Sequence, residues 1–213
     1  ANAETLIENK LIKDNQNAKL FTEAIFSQSQ RMTAIVNDLL KISSMEAGEY
    51  PISIESIDSF SIAENLINEF KPSSDKKKLV VQNNLNKQTK VMADGAALKI
   101  ILTNFISNAI KHSPKKACIN IEESFSSKGY VRLSVTDEGK GVPKKYKERV
   151  FERFYRIDKG RSTEKGGTGL GLSISKNLAL MMGYSVGVES NKPKGATFFI
   201  DIKIDDEKSF QAA

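Results

Sequence analysis

The stretch DGAALKIILTNFISNAIKH, residues 94–112, decides how the rest of the chain reads. Asp94 supplies an N-cap, and Leu98, Ile101, Leu102, Phe105, Ile106, Ala109 and Ile110 recur at the three-and-four spacing of a helix with one buried stripe. Asn104 and Asn108 stand one turn apart on that helix and share a face that is otherwise apolar or small. A buried amide left without a partner costs about 1–3 kcal/mol, so the pair calls for an explanation. One is that the amides satisfy backbone groups nearby. The other is that their carbonyl oxygens hold a hard cation such as Mg²⁺, which takes oxygen ligands and keeps most of its waters.

Two glycine-punctuated stretches follow downstream. Thr136-Asp137-Glu138-Gly139-Lys140-Gly141 ends an alternating strand with an acid and two spaced glycines. Asp137 at a strand end can accept a hydrogen bond from an exocyclic amine, and the glycines let backbone approach a flat ring. Alone the pattern is weak, since a tight turn uses the same residues. Gly166-Gly167-Thr168-Gly169-Leu170-Gly171-Leu172 then leads into a helix running to about Met182. Glycines opening a helix expose its unsatisfied N–H groups and positive dipole end, which together make a phosphate site. No Gly-Lys-Ser/Thr follows, so this is not a Walker loop, and no clear strand precedes it as a dinucleotide fingerprint requires.

Around these stretches the pattern is mixed. Ile52, Ile54 and Ile57 predict a short strand, and Asp58 or Ser59 then caps a helix through Phe70. Leu79–Val81, Ala117–Phe125 and Tyr130–Asp137 read as strands, and Tyr184–Glu189 with Ala196–Ile202 as a final hairpin. Paired strands with helices between them predict an α+β fold in which one mixed sheet carries helices on one face.

In this order and spacing, the three motifs resemble the N, G1 and G2 boxes of the GHKL (Bergerat-type) ATP-binding fold of histidine kinases and their relatives. Phe151-Glu-Arg-Phe-Tyr-Arg156 resembles the F box, and the likeness covers roughly Pro51 to Ile204. The resemblance implies ATP and Mg²⁺ as cofactors. It implies that Asn104 and Asn108 hold the metal, Lys111 lies near the phosphates and His112 touches adenine. Asp137 matches the acid that reads the adenine amino group. Gly139 and Gly141 match the purine-side glycines, and Gly167, Gly169 and Gly171, with Thr168 and Leu170 between them, the phosphate side. Val142 to Gly166 looks like a mobile lid, whose Arg153, Arg156, Lys159, Arg161 and Lys165 are candidates for reaching phosphates. Phe151 and Phe154 of the same segment fit lid anchors better than ATP contacts.

Relatives that hydrolyse ATP carry a Glu one turn before the metal-holding amide, where it can activate water. Here that position is Asn104, which argues against both the hydrolysing branch and the anti-sigma serine kinases. A non-catalytic nucleotide-binding scaffold is a third reading, opposed by the intact boxes.

From Phe21 to Ile42 the rhythm differs. Phe21, Ile25, Gln28, Met32, Ile35, Leu39 and Ile42 alternate steps of four and three, with Val36 and Leu40 beside them. Gly48 and Tyr50-Pro51 end this helix, while Thr5–Ile12 reads as a shorter helical piece and Lys13–Asn17 as the turn between the two. Residues 1–50 resemble part of a dimerisation and histidine-phosphotransfer hairpin, leaving 51–213 as the ATP-binding domain. That implies a homodimer through the hairpin, with a response-regulator receiver domain as partner. The phosphoacceptor histidine is not in the chain: the one His, His112, lacks the acceptor's His-Glu context. The chain therefore reads as a piece of a longer sensor kinase, starting part-way along the acceptor helix, that binds ATP but does not phosphorylate itself.

Composition bounds the alternatives. The 213 residues are 39% hydrophobic and 27% charged, as in a globular protein, with no run of roughly 20 apolar residues. One cysteine, Cys118, allows no internal disulfide, and one Cys with one His makes no zinc site. The net charge of +6 comes from clusters such as Lys76–Lys78 without interleaved aromatics, which argues against nucleic acid. A cytoplasmic location follows, with the parent protein anchored in the bacterial inner membrane as the family expectation.

Overall fold

A computed structural model describes residues 16–157, 168–191 and 194–205. Helix α1 (Gln16–Glu46) leads by way of Gly48 into strand β1 (Glu55–Asp58) and helix α2 (Ser59–Lys77). Then come β2 (Val80–Asn84), β3 (Lys90–Ala93), α3 (Gly95–His112), β4 (Cys118–Ser127) and β5 (Tyr130–Thr136). Two short 3₁₀ turns, α4 (Gly171–Met181), β6 (Ser185–Ser190) and β7 (Ala196–Lys203) complete it.

The main sheet has five strands in the order β2-β4-β5-β7-β6. β2 runs parallel to β4 and every other pair is antiparallel, so the sheet is mixed, as the alternation of strands and helices predicts. Alternate residues of β5 (Val131, Leu133, Val135) and β7 (Phe198, Ile200, Ile202) point into the core. Eight apolar residues of α3 meet them there, Phe105 packing 5.7 Å from the Phe198 ring. On the opposite face Arg132 stacks 3.5 Å over the Phe199 ring and grips Asp201 through two hydrogen bonds of 2.8 and 2.9 Å.

Three local departures have clear causes. Strand β3 is absent from the sequence reading because four residues are too few to show alternation; it is specified by antiparallel pairing with β1, Glu55 opposite Ala93. Strand pairing also starts at Glu55, three residues beyond Ile52. Helix α2 is capped by Asp58, whose carboxylate accepts from the Ser61 N–H, but it runs past the predicted end at Phe70 and through Pro72. Only one N–H is lost at a proline, and the helix resumes until Lys78 takes a left-handed conformation, φ 55°, as its C-cap.

That extension has a purpose in the packing. It brings the Lys77 ammonium to the C-terminus of α3, where it donates to the carbonyls of Ile110 (2.6 Å), Lys111 (2.9 Å) and Ser113 (3.1 Å). A cation on the orphan carbonyls of a helix end satisfies hydrogen bonds and the dipole together.

Gly48, φ 73°, closes α1 as expected, its N–H bonded to the Met45 carbonyl at 3.2 Å. Gln16 and Asn17, read as turn, belong to the helix. The predicted piece Thr5–Ile12 lies outside the described residues. Ile42 and Met45 are buried in the same core as α3, with Ile35 packed against it, whereas Phe21, Ile25, Met32, Val36 and Leu40 remain exposed.

Replacing Lys77 by Met keeps the aliphatic stem and removes the three hydrogen bonds. We expect the folded state to lose about 1–3 kcal/mol, read as a lower urea midpoint at unchanged m-value. An unchanged midpoint would show that α3 needs no such cap.

Candidate functional site

The centre of the site is α3. Asn104 is half-buried, and its amide nitrogen donates to the Gly171 carbonyl at 2.8 Å and to Ser175 Oγ at 3.0 Å. The amide nitrogen therefore does what a structural reading of a buried amide requires, tying α3 to the first turn of α4. The carbonyl oxygen of the same amide has no donor among the described residues. One turn on, Asn108 is half-buried and has no hydrogen-bond partner among the described residues. Two oxygens on one helix face match what Mg²⁺ takes, one or two protein ligands plus waters and phosphates. Among the described residues no group of three His, Cys, Asp or Glu side chains exists for a softer metal.

Asp137 sits just past the end of β5, and only 4% of it is exposed. Its Oδ1 accepts from the Gly139 N–H at 2.7 Å and the Ala196 N–H at 3.3 Å. Burial raises its pKa above its ordinary value, and the two backbone donors only partly oppose this. Space around the acid is tight. A side chain at Gly139 would place Cβ 2.7 Å from Asp137 Oδ1 and 2.9 Å from the His112 carbonyl oxygen, locking this loop to the end of α3. Gly195, φ 112°, stands directly against the Asp137 carbonyl oxygen, where a Cβ would collide. Sequence reasoning missed Gly195: a glycine before a strand looks like any hairpin glycine, and its role follows from β7 pairing beside β5.

Between the acid and α4 runs the lid segment. Phe151 is buried and meets the Phe198 ring edge-on at 6.4 Å, so it anchors the segment in the core. Phe154 is exposed, with φ 60°, and its N–H bonds the Gly169 carbonyl at 2.9 Å. Thr168 Oγ1 accepts from the Leu170 N–H at 3.2 Å and donates to Asp38 of α1 at 3.2 Å, while Arg153 pairs with Glu46 of α1. These contacts to α1 were illegible in the sequence, because they join residues more than 100 positions apart. Gly167, Lys159, Arg161 and Lys165 lie outside the described residues.

Lys111 is half-buried near the end of α3, and its pKa is lowered, first by burial and then by the like charges of Arg156 and Arg31. The His112 side chain is exposed at the helix end. The structure thus gathers Asn104, Asn108, Lys111 and the start of α4 on one side of α3. Asp137 with Gly139 and Gly141 lies at the C-terminal end of the same helix. A buried carboxylate, the helix N–H groups at the start of α4 and the Lys111 cation, all gathered around α3, suit a ligand with a neutral amine-bearing ring and a polyanionic tail.

Residues 93–206 match the family described as histidine kinase-, DNA gyrase B-, and HSP90-like ATPase. Over 189 residues the chain is 31% identical to the sensor-like histidine kinase SenX3 of Mycolicibacterium smegmatis, covering 89% of this chain and 49% of that protein. It is 32% identical over 207 residues to the sensor histidine kinase WalK of Bacillus subtilis, covering 97% of this chain and 33% of that protein. The crystal structure of full-length ShkA in complex with AMPPNP superposes with a TM-score of 0.75 at 25% identity, over 95% of this chain and 42% of that one. The chain belongs to the histidine kinase-, DNA gyrase B-, and HSP90-like ATPase family, on its sensor histidine kinase branch. It spans half or less of the length of these relatives.

The buried acid makes a prediction about stability. Because folding raises its pKa, its contribution to stability is fully present below the unfolded value of about 3.9 and is lost as pH rises through the folded value. Asn in its place keeps the carbonyl acceptor for Gly139 and Ala196 without a buried charge. Ligand-free Asp137→Asn should therefore melt at or above the wild-type temperature at pH 7, with the difference closing as pH falls through the carboxylate range. A melting temperature several degrees lower at pH 7 would contradict this.

Proposed function

We propose that this chain is the ATP-binding catalytic core of a sensor histidine kinase, with residues 51–213 as the ATP-binding domain and 1–50 as part of the dimerisation and phosphotransfer hairpin. The observation that carries the reading is Asn104. It occupies the place where a hydrolysing relative needs a base, and its amide nitrogen is committed to Gly171 and Ser175. An amide has no basic lone pair at neutral pH, so nothing there activates water.

In this reading Asp137 accepts the adenine amino group, and Gly139, Gly141 and His112 border the purine. The N–H groups at the entry to α4, residues 168–171, and the charges of Lys111 and Arg156 hold the polyphosphate. Arg153, paired with Glu46, positions the lid rather than the nucleotide. Asn104 and Asn108 would hold Mg²⁺, which when bound neutralises charge on the phosphate oxygens. The reaction served is transfer of the γ-phosphoryl group from ATP to an imidazole nitrogen, releasing ADP. The phosphoryl group then passes to an Asp of a response-regulator receiver domain. The chain's own contribution is positioning and electrostatics, as expected for phosphoryl transfer.

The exposed apolar residues of α1 support a homodimer through the hairpin, since Phe21, Ile25 and Met32 are each more than 60% exposed. Among the described residues no helix is long and apolar enough to cross a membrane. A cytoplasmic site of action, with any membrane anchor elsewhere in the parent protein, accords with that and with the family.

The test uses this chain and a version extended through the upstream acceptor helix. The chain itself should bind Mg·ATP, release no phosphate in steady state and take no label from γ-labelled ATP. The extended version should form acid-labile phosphohistidine. Asp137→Asn should abolish ATP binding in both. Steady phosphate release would establish the hydrolysing branch instead, and label on His112 would overturn the assignment of the acceptor.

A further inference from the structure

Helix α1 does more than precede the ATP-binding domain. Along it, Arg31, Ile35, Asp38, Ile42 and Met45 recur every three or four residues, and all five are at least half-buried. Ile35, Ile42 and Met45 lie against the domain's core. Asp38 is bonded to Thr168, three residues before the point where Asn104 is bonded to Gly171. Helices α1 and α3 are thus both fastened to the same short segment, the entry to α4.

From that shared anchor each helix carries a cation about 10 Å along its length, the rise of seven residues. On α1 this is Arg31, seven residues before Asp38. On α3 it is Lys111, seven residues after Asn104. Arg156 of the lid segment comes from a third element. Arg31 lies on the face of α1 that packs against the domain, and the Arg31 and Arg156 charges both reach the Lys111 ammonium and lower its pKa. Neither Arg31 nor Lys111 has a carboxylate at ion-pair distance among the described residues. Like charges held together at half-buried positions repel, and an anion between them reverses that sign.

We propose that Arg31 is a phosphate-contacting residue of the nucleotide site, so that helix α1 supplies one arm of the cradle and the bound polyphosphate bridges α1 to the ATP-binding domain. This rests on the nucleotide reading above and adds to it a residue outside the family's glycine and asparagine boxes. Guanidinium suits the role, because its planar fork meets two phosphate oxygens at once. An arginine that merely solvated α1 would have no reason to sit on the helix face that packs against the domain, one turn from Ile35.

Calorimetric titration of Mg·ATP into the whole chain and its variants tests this. Arg31→Ala should weaken ATP binding about tenfold, and Arg31→Lys should stay within about threefold of wild type. ATP affinity should also depend less steeply on salt in Arg31→Ala, since one fewer cation meets the phosphates. Unchanged ATP affinity in Arg31→Ala would overturn the proposal. So would an equal loss in Arg31→Lys with an unchanged salt slope, because the residue would then act only through packing. Failure of the wild-type chain to bind ATP is a different result: it overturns the nucleotide reading itself, before any variant is compared.

Discussion

The hydrogen bond from the Asn104 amide nitrogen to the Gly171 carbonyl, 2.8 Å long, is the contact on which the site is built. It joins the middle of α3 to the first turn of α4, and Ser175 Oγ reinforces it from one turn further on. The consequence is chemical as well as mechanical. With its nitrogen donating to Gly171 and Ser175 the amide has a defined orientation, and its oxygen lies close against Gly171, where a Cβ would sit 2.7 Å from it. A carboxylate at the same position would have no hydrogen to give the Gly171 carbonyl. The residue that in the proposed reading denies water a base is thus also the one that fixes the glycine turn at the start of α4 relative to α3. That gives the branch assignment a structural basis and not only a sequence one.

The ends of α3 are held by different means. At its start Asp94 accepts the Ala97 N–H at 2.8 Å and the Ser53 N–H at 2.9 Å. At its end Lys77 gathers three carbonyls. A helix fixed at both termini and the centre keeps its ligand-facing residues in register, which preorganised binding requires. Asp137 carries the opposite energetic sign. Its burial opposes ionisation, and among the described residues only the Gly139 and Ala196 N–H groups donate to it. A group that the fold alone would prefer neutral is the kind of residue retained for recognition.

The parts of this arrangement that could be read from the sequence are those written in short spacings. Asn104 and Asn108 are one turn apart, the cap at Asp94 immediately precedes its helix, and the glycines of both turns lie within seven residues. Each signal is local, so one chain suffices to see it. Strand β3 was illegible because Lys90–Ala93 has no rhythm of its own and is defined by its partner β1. The true end of α2 was hidden because Pro72 looks like a stop, while the interaction that rewards continuing, Lys77 on α3, lies more than 30 residues away. Gly195 and the Asp38–Thr168 bond belong to the same class. They depend on which strands and helices become neighbours, and no spacing in one chain encodes that.

Helix α1 shows how one periodic pattern can hold two messages. The heptad through Phe21, Ile25, Met32, Ile35, Leu39 and Ile42 reads as one apolar stripe, yet the structure divides it. Ile35 and Ile42 join Arg31, Asp38 and Met45 on the domain-facing side, whereas Phe21, Ile25 and Met32 stay exposed with Val36 and Leu40. A stripe wider than one helix-helix seam needs can serve two contacts at once. The inward face is mixed, with an arginine and an aspartate among its apolar residues. A purely apolar face would fix the helix to the domain by burial alone. A face carrying charge at the entry to α4 makes the strength of that packing depend on what other charge is present there. If the entry to α4 holds a polyanion as proposed, the same surface that positions this turn can register whether it is occupied.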